Sequence, residues 1–137
     1  MAAAARYMLD TNMASYTVRG AGPALAARLV AVPMAQMCVS SVTEGELLYG
    51  LARRPGATAL QTVVQEFLKR VDVLAWDSAA ARRYGVLRAA LEAAGTPLGN
   101  LDTLIAAHAL SAGAILVTNN QAFARVSALV VDNWVSS

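Results

Sequence analysis

The amino-acid sequence predicts an α/β fold, a three-layer α/β/α sandwich around a central, mainly parallel sheet. Short apolar runs recur along the chain, apolar residues between them repeat at helical spacing, and the two patterns alternate, which gives layers rather than a helix bundle. Most of the runs are too uniformly apolar for a half-exposed antiparallel sheet, so the strands are read as parallel and buried.

The first strand is expected at Tyr7–Leu9, ahead of Asp10, Thr11 and Asn12, residues that bond backbone groups in turns and at helix starts. Gly20 to Pro23 punctuates the helical stretch that follows. A second strand is read at Met37–Ser40, running into SVTEGELLYG, where Thr43 and Glu46 have the spacing of a capping box. After the turn Arg53-Arg54-Pro55-Gly56, the spacing of Leu60, Val63, Val64, Phe67 and Leu68 predicts a helix. Val71–Trp76 reads as the third strand, and Ala80, Tyr84, Leu87 and Leu91 mark another helix that ends before Gly95-Thr96-Pro97. Asn100 is placed as the cap of the next helix, which carries Asp102 in its first turn and His108 on an apolar face. Ala114–Thr118 and Leu129–Val131 supply the last two strands.

A chain of 137 residues fits one domain, residues 1–137, and none of its turns resembles an interdomain linker. Hydrophobic residues make up 57% and charged residues 15%, which excludes a disordered acidic chain. Charged or glycine residues interrupt every apolar run well short of the ~20 residues a membrane helix needs, so no membrane association is expected. MAAAARYML lacks the longer apolar region of an export signal, and its Tyr-Met-Leu is better used as a strand. Cys38 is the only cysteine, which rules out an intrachain disulfide or a multi-cysteine zinc site and suits a cytoplasmic protein. The net charge of +2 is only a mild bias toward polyanions. Arg53, Arg54, Arg82, Arg83, Arg88 and Arg125 are candidates for phosphate contacts, with solvated helix faces as the plainer explanation.

Three carboxylates, Asp10, Glu46 and Asp102, stand where apolar stretches meet helix openings. In an open α/β sheet such junctions gather at one rim. Clustered carboxylates repel unless protons or a cation neutralise them, and hard oxygen donors favour Mg²⁺ or Mn²⁺. Each acid also has a structural explanation: Asp10 as a helix cap, Glu46 as half of a capping box, Asp102 as a charge favoured by a helix dipole. His108, the only histidine, reads as a packed core residue rather than a catalyst. Tyr49, Tyr84, Trp76 and Trp134 read as core or interface residues.

The motifs MLDTN, SVTEGELLYG, GTPLGNLDTLIAAHAL and LVTNNQAF, in this order between about Tyr7 and Trp134, resemble the PIN-domain ribonuclease toxins of the VapC family, from type II toxin–antitoxin systems. The resemblance implies a PIN-like sandwich and a Mg²⁺-dependent endoribonuclease, with Mn²⁺ as a substitute, in which Asp10, Glu46 and Asp102 hold the ion directly or through waters. It also implies a polar fourth position at Asn120 or its neighbour Asn119, where many PIN domains carry an acid. Thr118 either bonds a water there or simply ends the strand, and Glu44 is out of register with the motif. The implied partners are a translation-related RNA as substrate, a cognate VapB-like antitoxin and a second copy in a homodimer. The alternative is a catalytically weak or inactive PIN-like module that binds RNA or antitoxin. A phosphorylation-controlled signalling domain fits poorly, because the sole lysine, Lys69, precedes Val71 in a helix instead of following a late strand.

Overall fold

The computed structural model describes residues 4–20 and 22–135; Ala21, inside the turn from Gly20 to Pro23, and the first three residues of the stretch read for an export signal lie outside them. The strands are β1 (Tyr7–Leu9), β2 (Met37–Ser40), β3 (Asp72–Leu74), β4 (Ile115–Val117) and β5 (Val131–Asp132). They form a five-stranded sheet in the order β3-β2-β1-β4-β5, and every pairing is parallel. The helices are α1 (Thr11–Arg19), α2 (Pro23–Ala31), α3 (Ser41–Ala52), α4 (Thr58–Arg70), α5 (Ser78–Ala93) and α6 (Asn100–Ala112).

The two-residue period of a strand sends alternate side chains to opposite faces. Leu9, Met37, Val39 and Val117 pack with Met13, Leu25, Leu47, Val64 and Phe67, so α1 to α4 cover one face. Met8, Cys38 and Leu116 pack with Leu91, Ile105, Ala106 and Ala109, so α5 and α6 cover the other. The result is the expected three-layer α/β/α sandwich. Because β2 and β3 lie on one side of β1 while β4 and β5 lie on the other, the strand order reverses at β1, and the C-terminal ends of β1 and β4 form the switch point where open α/β sheets place their ligand crevice.

Helix ends follow local chemistry. Asp10 caps α1 by accepting from Met13 N at 2.8 Å. Gly20 and Gly113 end α1 and α6 in the left-handed region, at φ 73° and 63°, where a side chain would be strained. Two expected caps are corrected. Ser40, not the Thr43–Glu46 box, caps α3, accepting from Val42 N at 3.1 Å, because the helix starts directly from the strand end. Asn100 is the first helical residue of α6, and Gly99 occupies the cap position without a side-chain bond.

The edge strands are shorter than the apolar runs suggest. β3 stops at Leu74 instead of Trp76, because Trp76 leaves the ladder: its backbone N donates to Ser41 Oγ and its indole Nε1 to Leu104 O. β5 lies at Val131–Asp132 rather than Leu129–Val131, since Leu129 turns into the core beneath α5 and α6. The alternation of burial in α4 is also narrower than its apolar spacing, with Val64 and Phe67 buried and Val63 facing solvent.

Candidate active site

Asp10 follows the central strand, and its backbone N donates to Val117 O of β4 at 3.0 Å, which fixes it at the crevice. It is 4% exposed. Burial raises its pKa above the ordinary 3.8, the negative charges of Asp102 and Glu46 push it further up, and hydrogen bonds from Thr118 and the Met13 amide oppose them. Asp10 is therefore a helix cap and, at once, the carboxylate that feels both other acids. Glu44 is not among the charges acting on it.

Glu46 lies in the second turn of α3 and reaches α1. Thr11 Oγ1 donates to Glu46 Oε1 at 2.5 Å, and Thr43 Oγ1 is 3.2 Å from Thr11 Oγ1. With the Thr11 proton committed to the carboxylate, Thr43 is the donor to Thr11, which makes a chain Thr43→Thr11→Glu46. The capping-box pair thus meets around Thr11 instead of across the helix start. Thr11 stands in the DTN motif, but a partnership spanning 35 residues has no local signal in the sequence.

Asp102 sits in the first turn of α6, half-buried, with its pKa raised by burial. Asn120 Nδ2 is 3.4 Å from Asp102 Oδ2, while Asn120 Oδ1 accepts from Ala122 N at 3.0 Å. Of the two asparagines considered, Asn120 is the one brought beside Asp102. Its oxygen is used by the backbone, so its amide group orients the carboxylate and adds no negative charge. Thr118, 4% exposed, accepts from Asn120 N at 3.0 Å. It both ends the strand and faces Asp10.

A buried and a half-buried acid, both with raised pKa values, are costly when ionised at one rim, and a cation offsets that cost. Among the described residues no three His, Cys, Asp or Glu side chains converge closely enough to grip one ion unaided. The all-oxygen donor set fits a cation that keeps much of its water shell and is held by one or two carboxylates, which is how Mg²⁺ is usually bound.

Beside Glu46 a cleft of about 230 Å³ runs between α1, α3 and α4, with Arg19, Arg53 and Arg54 on its walls. Of the arginines singled out in the sequence, Arg53 and Arg54 thus share a cleft with Glu46, and Arg19 is an addition. Arg88 instead bonds Tyr84 and Glu92 on α5, and Arg125 donates to Pro97 O. His108 is buried as expected, and Trp134 is in the core, while Tyr49 is 64% exposed beneath the Arg53 guanidinium.

The PIN domain family model matches residues 7–129. The chain belongs to the PIN-domain family of VapC ribonucleases. A tRNA(fMet)-specific endonuclease VapC of Shigella flexneri is 40% identical over 130 residues, covering 94% of this chain and 98% of the relative. Ribonuclease VapC2 of Haemophilus influenzae is 38% identical, covering 95% and 98%. Among solved structures, the DNA-bound VapBC of Salmonella typhimurium superposes with a TM-score of 0.89 at 36% identity, covering 96% of this chain and 99% of that one. VapBC2 of Rickettsia felis, bound to a DNA fragment from its promoter, gives 0.84 at 33% identity, covering 93% and 98%. The VapC-type sandwich predicted from the sequence motifs is therefore the fold of this chain. Among its described residues no helix is long and apolar enough to cross a membrane.

Proposed function

We propose that this chain, as one domain over residues 1–137, is the toxin of a VapBC-type pair: a cytoplasmic, Mg²⁺-dependent endoribonuclease that hydrolyses a phosphodiester in a translation-related RNA. The observation that carries this reading is the crevice at β1 and β4, where Asp10 feels the charges of both Asp102 and Glu46. Initiator tRNA is the first substrate to test, because VapC relatives of Shigella flexneri and Salmonella typhimurium are named as tRNA(fMet)-specific.

A divalent cation would supply Lewis acidity and a hydrolytic water at neutral pH. Asp10, Glu46 and Asp102 would hold it, directly or through waters. Thr11 and Thr43 orient Glu46, Asn120 orients Asp102, and Thr118 bonds Asp10. Arg53 and Arg54 suit the RNA backbone as phosphate contacts that position without reading sequence. A VapB-like antitoxin is the expected inhibitor, seated in the arginine-walled cleft next to Glu46, and the toxin is expected to form a homodimer.

The test is cleavage by purified, antitoxin-free protein. New RNA 5′ ends are mapped in total RNA with Mg²⁺, with Mn²⁺ and with chelator, using the native chain and Asp10→Asn. Cutting at one or few sites, dependent on the ion and absent in the folded variant, is expected. Equal cutting by both proteins in chelator would sink the site assignment. A folded chain that binds antitoxin and RNA without cutting would favour the weak-module alternative, for which the neutral amide of Asn120 is the supporting observation.

A further inference from the structure

Ser40 and Ser41, at the junction of β2 and α3, each anchor a hydrogen-bonded tie to α6. In the first, His108 Nδ1 lies 2.7 Å from Ser40 Oγ. That oxygen also accepts from Val42 N and keeps a second lone pair and its own proton, so it bonds Nδ1 in either tautomer of the ring. Burial lowers the His108 pKa and so favours the neutral ring, against an opposing pull from Asp77. In the second tie, Trp76 bridges the helices: its backbone N donates to Ser41 Oγ at 3.1 Å and its indole Nε1 to Leu104 O at 3.0 Å.

The period-2 rule puts Ser40 on the same sheet face as Cys38, toward α5 and α6, while the later residues Leu47 and Leu51 of α3 pack on the opposite face. The helix carrying Glu46 therefore crosses the rim and touches α6 at its head. Asp102 lies on α6 just before Leu104 and His108. Ser40 is fully buried and His108 is 3% exposed. An apolar pair of similar volume would pack there with little loss of stability, since a buried hydrogen bond contributes only about 1 kcal/mol net. What the polar pair adds is a fixed length and direction.

We propose that His108 and Trp76 are positioning residues of the acidic site: with Ser40 and Ser41 they clasp α6 to the head of α3 and set the spacing between Asp102 and Glu46. This rests on the reading that those carboxylates share a hydrated cation. Neither residue touches the substrate or the ion; they act through the helices that carry the acids.

The test uses the full chain and the variants His108→Leu, His108→Asn and Trp76→Phe, each checked for folding by circular dichroism. Mn²⁺ binding is followed by electron paramagnetic resonance. His108→Leu is expected to weaken it about tenfold, the usual scale for removing an outer-shell partner. His108→Asn, whose side-chain amide can donate to or accept from Ser40 Oγ, restores most of the affinity, and Trp76→Phe, which removes only the indole donor, falls between. In cleavage assays the Mg²⁺ concentration for half-maximal rate rises while the rate at saturating Mg²⁺ changes less. Metal-free hydrogen exchange should quicken over residues 42–46 and 102–104 in His108→Leu and leave the central strands unchanged. Native Mn²⁺ affinity in folded His108→Leu, or no rescue by Asn, overturns the proposal. Should the native chain bind Mn²⁺ no better than Asp10→Asn, the shared-cation reading fails, and exchange alone decides the clasp: local quickening supports it and an unchanged pattern rejects it.

Discussion

Leu9, Val39 and Val117 end the apolar stretches of three adjacent strands and are wholly buried; the next residues, Asp10, Ser40 and Thr118, are 4%, 0% and 4% exposed. The two rows have the same burial and opposite energetics. A fully buried aliphatic side chain contributes roughly 1.5–3 kcal/mol. A buried polar group costs free energy unless it is bonded, and a buried charge costs more. The rim answers with Met13 N on Asp10, Val42 N and His108 on Ser40, and Asn120 N on Thr118. Among the described residues no buried side-chain nitrogen or oxygen lacks a partner. Hydrogen bonds satisfy the rim's geometry but leave its negative charge, so the interior holds the fold and the rim is where a cation would be felt.

The largest effect that would sharpen this contrast is in the interior. Leu116→Ala, at a fully buried position, should cost about 3–4 kcal/mol in chemical denaturation with the rim chemistry unchanged in whatever stays folded. A loss under about 1 kcal/mol would mean the interior is not close-packed. Next comes Asp102→Asn at the rim, expected to reduce RNA cleavage at least about a hundredfold. The same variant should keep or raise the denaturation midpoint of metal-free protein, because burial disfavours the ionised carboxyl; a marked drop would show that Asp102 serves the fold.

A smaller effect separates the two rows by pH. Asp10 has a folded pKa raised above 3.8, so between those values the folded state holds more protons, and metal-free stability falls as pH rises through that window. Asp10→Asn keeps the helix cap and removes the fall. His108 works in the other direction: its folded pKa is lowered from 6.5, so its contribution is complete above 6.5 and is lost as pH drops through that value toward the folded one. Denaturation of metal-free protein at several pH values, with Asp10→Asn and His108→Asn, reads the two slopes. Matching slopes in native protein and Asp10→Asn below neutrality would break the comparison. Smallest of all is Arg88→Ala, which removes an exposed pair with Glu92 and should leave the denaturation midpoint unchanged within error.

How much of this was legible in the sequence depends on how local the cause is. β1 and β2 appear at the positions their apolar runs mark, because central strands need apolar residues on both faces. β3 and β5 were misplaced because an edge strand pairs on one side only, and distant partners of Trp76 and Leu129 decide where it stops. The cap of α3 was misread for a related reason: Ser40, Ser41 and Thr43 are all capable hydroxyls, and Thr43 is claimed by Thr11, far away in sequence. Asp10, Glu46, Asp102 and Asn120 could be nominated from motif order, and the structure brings them to one rim. The ties from Thr11 to Glu46 and from His108 to Ser40 could not be nominated, since each joins residues on different helices or at a helix junction with no shared period.

The sheet order also bears on when the rim can exist. β1 is the first strand made, yet its full pairing requires β4, which arrives only with residues 115–117. Until that segment has left the ribosome and inserted beside β1, Asp10 has no Val117 carbonyl to hold its backbone. Such distant pairings also form late in folding, after a large loop has closed. A growing chain thus carries Asp10 and Glu46 through most of its synthesis without assembling them into a crevice. Manufacture of the carboxylates and their assembly are separate events in time, and the rim is complete only after β4 has docked.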